Sequence, residues 1–100
     1  MARFDIDDLD EVIHGRLRLG IMAYLIDAEA ADFTELKTLL NATQGNLSIH
    51  LRKLEDAGYI AIEKRIIDRK SLTRARLTDA GRQAFAVYLQ ALGKLLAPGG

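Results

Sequence analysis

Between residues 43 and 60 the chain reads TQGNLSIHLRKLEDAGYI. Gln44, Asn46, Ser48, Arg52 and Lys53 fall within about three turns if this stretch is helical. Their amide, hydroxyl, guanidinium and ammonium groups suit flat, polar edges. A Gln or Asn amide bonds the edge of adenine in a bidentate way, Arg does the same for guanine, and a methyl-bearing side chain touches the methyl of thymine. Ile49, placed among the polar residues, carries such methyls. Ser48 and His50 do not make a nucleophilic pair: two residues apart on a helix they point in different directions, and no acid orients the histidine.

The spacing predicts a helix over 43–57. Thr43 is a good N-cap and Gly58 a good residue just past the C-terminus. With Leu47 at the centre of the buried side and about 100° per residue, Leu51 and Leu54 join it and His50 edges it. The opposite side holds Gly45, Ile49, Arg52 and Asp56, flanked by Asn46 and Lys53 on one side and Ser48 on the other. Gly45 weakens the first turn but lets the helix approach another molecule closely.

The elements around this helix follow from periodicity. Residues 8–27 read as a helix, with Leu9, Val12, Ile13, Leu17, Ile21, Tyr24 and Leu25 on one stripe and a bend or break near His14–Gly15. Residues 28–33 form a connector. Thr34 is expected to cap a short helix that turns Leu36, Leu39 and Leu40 inward. The stretch 59–78 alternates as a β-hairpin: Ile60, Ile62 and Ile66 on one face, Glu63, Arg65, Arg74 and Arg76 on the other, Arg69 and Lys70 at the tip. Thr78–Asp79 caps a last helix over 79–96 with Phe85, Tyr88, Leu89, Leu92, Leu95 and Leu96 on a stripe. Pro98 lies in a tail expected to fray.

One hundred residues suit one domain. The chain has no cysteine, which excludes disulfides, thiol catalysis and thiolate-bound zinc, and suits a reducing cytoplasm. No run is long and apolar enough for a membrane span. The acidic start MARFDIDDLDE does not read as a signal peptide. His14 and His50 lack partners at ligand spacing, and the aspartates of FDIDDLDE lack the glycine and glutamate of a calcium loop, so no metal or other cofactor is expected. His50 is expected to bond a backbone group at the core edge. Net charge is zero, but its distribution is uneven. Residues 1–43 hold four basic and nine acidic residues, a net of −5, whereas 44–76 hold eight basic and four acidic, a net of +4. The basic half is the half with the amide-rich helix and the hairpin.

LLNATQGNLSIHLRKLEDAGYIAIEK, followed by a hairpin ending TRARLTDAGRQAF, resembles the small winged-helix regulators of the MarR/ArsR type, over about residues 13–92. The resemblance implies a mostly helical α+β fold: a winged helix-turn-helix with a three-helix core, a two-stranded β wing and a long C-terminal helix. It implies a non-enzymatic, cytoplasmic transcriptional regulator that binds double-stranded DNA as a homodimer. The helix 43–57 would enter the major groove, and the wing 59–78 would touch backbone or minor groove. The residues this singles out are Thr43, Gln44, Gly45, Asn46, Ser48, Ile49, Arg52, Lys53, Arg69, Lys70, Arg74 and Arg76. Helices 8–27 and 79–96 would dimerise. Ile49 departs from the pattern, which often has a basic residue there. Two other uses suit the same residues: a winged-helix module that docks an acidic protein, and a sensor with a small-molecule effector at the dimer interface.

Overall fold

The computed structural model describes residues 6–97. The expected fraying at Pro98 and the start of the acidic segment lie outside the described residues. The elements run from a 3-10 turn, Ile6–Asp8, through α1 (Arg16–Ala28), β1 (Ala30–Asp32), α2 (Phe33–Leu39) and α3 (Gln44–Asp56). The hairpin β2 (Ile60–Ile67) and β3 (Lys70–Leu77) follows, then α4 (Asp79–Leu96). This is the winged helix-turn-helix, with two departures from the expected outline.

The first departure is at the N-terminus. One helix over 8–27 was expected; the helix starts only at Arg16, with extended Gly15 as N-cap. Residues 9–15 instead fold as a strap. Asp10 Oδ1 accepts from the Val12 N–H at 2.8 Å, and the Asp10 carboxylate accepts from the Tyr59 hydroxyl. That bond, with burial, pushes the Tyr59 phenol up to about 12. The strap still buries Leu9 and Ile13, so the apolar stripe was real although the helix was not continuous.

The second departure is in the sheet. The connector 28–33 contributes a strand, β1, which pairs antiparallel with β3 through Ala30↔Arg76, Ala31↔Ala75 and Asp32↔Arg74. The sheet is therefore three-stranded, in the order β1-β3-β2. Ala31 and Ala75 are both buried, and their small side chains let helices lie close above the central strand.

Asp32 also caps α2, where Thr34 was expected. Its backbone N–H donates to Glu35 Oε1 at 3.4 Å, in a capping-box arrangement. With the helix starting one residue after Asp32, Leu36 is buried, but Leu39 turns outward at 53 % exposure instead of facing inward. The core joins Ile21, Met22 and Leu25 of α1 with Leu36, Leu47, Leu51, Leu54, Ile60, Phe85 and Tyr88. Tyr88, fully buried, keeps its hydroxyl satisfied by His14 Nδ1 at 2.8 Å.

The junction of hairpin and α4 is tight. Thr78 caps α4 by accepting from the Gly81 N–H at 3.0 Å, and its own N–H donates to the Tyr59 carbonyl at 3.1 Å. A Cβ on Gly81 would stand 2.1 Å from that carbonyl oxygen. Backbone cannot step aside as a side-chain end can. Gly81→Ala is therefore expected to cost about 2–3 kcal/mol or more. At about 4–8 °C per kcal/mol, the melting midpoint by circular dichroism should fall by roughly 10 °C or more. An unchanged midpoint would show that α4 does not need this approach.

Candidate nucleic-acid interface

Burial of Leu47, Leu51 and Leu54 sets the rotation of α3. Ile49 is thereby turned outward, at 55 % exposure. Gln44, Gly45, Asn46, Ser48, Arg52 and Lys53 are all exposed as well. Thr43 holds the start of the helix: its Oγ1 accepts from the Asn46 N–H at 3.2 Å. A Cβ on Gly45 would meet nothing within 4 Å, so no internal packing requires glycine there. The bare first turn faces outward.

The two flanks of α3 differ. Gln44, Ser48 and Arg52, at four-residue intervals, line a groove against the sheet, with Phe33, Lys64 and Thr73 on the far side. Lys53 lies on the other flank, beside Glu11, Arg18 and Asp56. The outward surface thus has an amide, hydroxyl and guanidinium strip next to the hairpin, an isoleucine at its centre, and an ammonium on the far edge.

The hairpin register pairs Ile67 with Lys70, leaving a two-residue turn of Asp68 and Arg69. Lys70, expected at the tip, is the first residue of β3. Asp68 and Arg69 both have left-handed backbone, φ 51° and 67°, as a type I′ turn demands. Glycine is the usual residue there; an L side chain costs roughly 1 kcal/mol or more. Arg69 keeps a guanidinium at the tip despite that cost.

The outer face of the hairpin is not the free basic surface that the sequence suggested. Arg76 Nε donates to Glu63 Oε1 at 2.8 Å. This hydrogen bond and the charge of Arg76, helped by Arg65 and Arg74, hold the Glu63 carboxyl below its ordinary value. Arg74 lies directly across from Glu63. Among the described residues Lys64, Arg65, Arg69, Lys70 and Arg74 make no ion pair, whereas Arg76 does. Lys64, not singled out from the sequence, is the cation that faces the α3 groove. The signal was present: Lys64 shares strand parity with Ile60 and Ile62, and residues of one parity share a face.

A family model described as a winged helix DNA-binding domain matches residues 17–96. The chain belongs to this family. MJ0432, an uncharacterized protein of Methanocaldococcus jannaschii, is 37 % identical over 79 residues, covering 79 % of this chain and 86 % of the relative. The chain is also similar to the transcriptional regulator homologue protein from Pyrococcus horikoshii OT3. That structure has a TM-score of 0.76 and 31 % identity, covering 91 % of this chain and 95 % of the other. Overoxidized AbfR bound to DNA shares the fold, with a TM-score of 0.75 and 21 % identity over 97 % of this chain and 70 % of the other. The resemblance carried by GNLSIHLRKLEDAGYI and LTDAGR therefore holds at the level of family and fold.

Within this winged-helix DNA-binding domain, one side-chain bond ties α3 to α1. His50 was expected to bond backbone; its Nδ1 instead meets Arg18 Nη1 at 2.8 Å. Arginine only donates, so Nδ1 must be the unprotonated acceptor and the imidazole neutral. The same guanidinium donates to the Val12 carbonyl, and to that of Glu11 at 3.4 Å. Burial, then the charges of Arg18 and Lys53, pull the His50 pKa below 6.5. The unfolded chain therefore takes up this proton first. The stability His50 supports is complete above pH 6.5 and is lost as the pH falls towards the lower folded value. In NMR titrations His50 should titrate below 6.5, and Arg18→Ala should raise it part of the way back. An unmoved His50 would mean that the guanidinium does not act on the ring.

Proposed function

We propose that the protein is a cytoplasmic transcriptional regulator that binds double-stranded DNA as a homodimer. The observation that carries this reading is the outward face of α3. It is a helix of the winged helix DNA-binding family with Asn46, Ile49 and Arg52 exposed and a groove beside it lined by Gln44, Ser48, Arg52, Glu55 and Lys64. In this reading α3 lies in the major groove. Gln44, Asn46, Ser48, Ile49 and Arg52 meet base edges, with Thr43 and Gly45 setting the approach of the first turn. Lys53, Lys64, Arg69, Lys70 and Arg74 meet phosphates, which position the helix without reading sequence. Arg76 takes part only by giving up Glu63.

Duplex selected from a random pool, followed by anisotropy at several salt concentrations, tests this. Ile49→Ala should weaken the selected site by about 1 kcal/mol, towards the lower end for one base contact. The loss should disappear when the contacted thymine is replaced by uracil. Arg69→Ala should weaken selected and random DNA alike and reduce the salt slope by about one. Absence of salt-sensitive DNA binding by the unaltered protein would end the proposal.

The dimer rests on α4. Phe85 and Tyr88 are buried on one side, while Leu89 and Leu96, seven residues apart on one line of the helix beside them, remain exposed. A second copy covering that surface would present two reading helices related by a two-fold axis, as palindromic sites require. Leu89, at 49 % exposure, is the informative position; Leu92 packs against the core, so a charge there would also disturb the fold. Leu89→Glu should sediment as a monomer with helical circular dichroism intact. An unaltered protein that is monomeric at high micromolar concentration would exclude this interface.

A further inference from the structure

Ile66 is the most exposed of the large apolar residues described, at 82 %. Its cross-strand partner is Ser71, which offers no cover, whereas Ile67 has the diagonal neighbour Leu72. Strand propensity favours a β-branched residue at this position, but threonine would serve it without leaving an apolar side chain in water. Ile66 shares strand parity with Lys64, which lines the groove beside α3. It therefore faces the same side as the reading helix, about 7 Å farther along the hairpin at two residues of strand rise. Cations flank it along the chain: Lys64 on the same face, Arg65 on the opposite face, and Arg69 next to Asp68 in the turn beyond.

We infer that Ile66 is an apolar wedge that enters the minor groove of bound duplex next to the α3 site and bends it. The inference rests on the DNA-binding reading above. With α3 in the major groove, Lys64 falls at the bounding phosphate backbone and the hairpin tip extends past it. The whole hairpin is too broad for a minor groove about 6 Å wide, but one side chain at its tip is not. The flanking cations are complementary to phosphates on both walls of that groove. An isoleucine pressed between base pairs partly unstacks them and kinks the duplex away, typically by about 20–90°. The step that yields most easily is pyrimidine–purine. Ile66 would thus confer a preference for flexible steps outside the segment read by α3, with no hydrogen bond to a base.

The test uses the full chain, duplex selected from a random pool, and bending measured by circularly permuted gel shift. The selected sites should carry a TA or CA/TG step beside the α3 segment, and the unaltered protein should bend them by at least about 20°. Ile66→Val should keep most of the bend. Ile66→Thr has the same shape with a hydroxyl for a methyl, and should lose most of it. Replacing the flexible step by an A-tract should weaken the unaltered protein about fivefold or more, at the weak end for one altered step, and should hardly affect Ile66→Thr. Binding without bending, or equal bending by the Val and Thr variants, overturns the wedge and leaves the DNA-binding reading standing. No DNA binding at all overturns that reading, and the wedge with it. Ile66→Thr that changes self-association of the free protein while leaving the bend intact overturns the wedge in favour of a contact between copies.

Discussion

Everything that this domain presents outward depends on the burial of three leucines. Leu47, Leu51 and Leu54 lie on one line of α3 and are sealed against α1, β2 and the rest of the core. Full burial of one leucine is worth about 1.5–3 kcal/mol, so rotating α3 by even one residue position would forfeit several such terms at once. The rotation is therefore fixed, and with it the direction of Asn46, Ile49 and Arg52. The exposed isoleucine follows from the buried leucines: once the core claims one side of the helix, position 49 must face out.

The second determinant is polar and comes from far away in sequence. Arg18 reaches from α1 to His50 and to two carbonyls of the strap. Asp10 reaches from the strap to Tyr59 at the start of the hairpin. The strap thus joins α1, α3 and β2 through side chains of both signs. Orientation of α3 draws on apolar packing at its centre and on this network at its edge, and only the latter responds to protonation.

What could be read from the sequence divides along a physical line. The bounds of α3, the hairpin and α4 were clear because caps, alternation and Gly58 encode them locally. Ile49 was readable because a leucine period leaves no choice about the opposite side. The break at Gly15 was seen only as a possibility, since the apolar stripe of Leu9 and Ile13 continues through a strap that is not helical. The strand Ala30–Asp32 carries no local signal; it exists because β3 offers it partners. Asp32 outcompeted Thr34 as cap because Glu35 can reach back to it. The part of Gly81 and the partner of His50 were hidden for the same reason: each is a contact between elements distant along the chain.

Asp32 has a mechanical consequence. It is at once the last residue of β1, paired with Arg74 on β3, and the cap of α2. No residue lies between β1 and α2, and on the other side Ala57, Gly58 and Tyr59 alone join α3 to β2. The hairpin and α3 are thus tied to each other at two places, like the jaws of a calliper whose opening is limited from both sides. A duplex gripped by both would have to supply the adjustment itself, through twist and groove width. The energy of that deformation depends on how tightly the duplex is wound. Torsional stress in the DNA would then be felt as a change in grip.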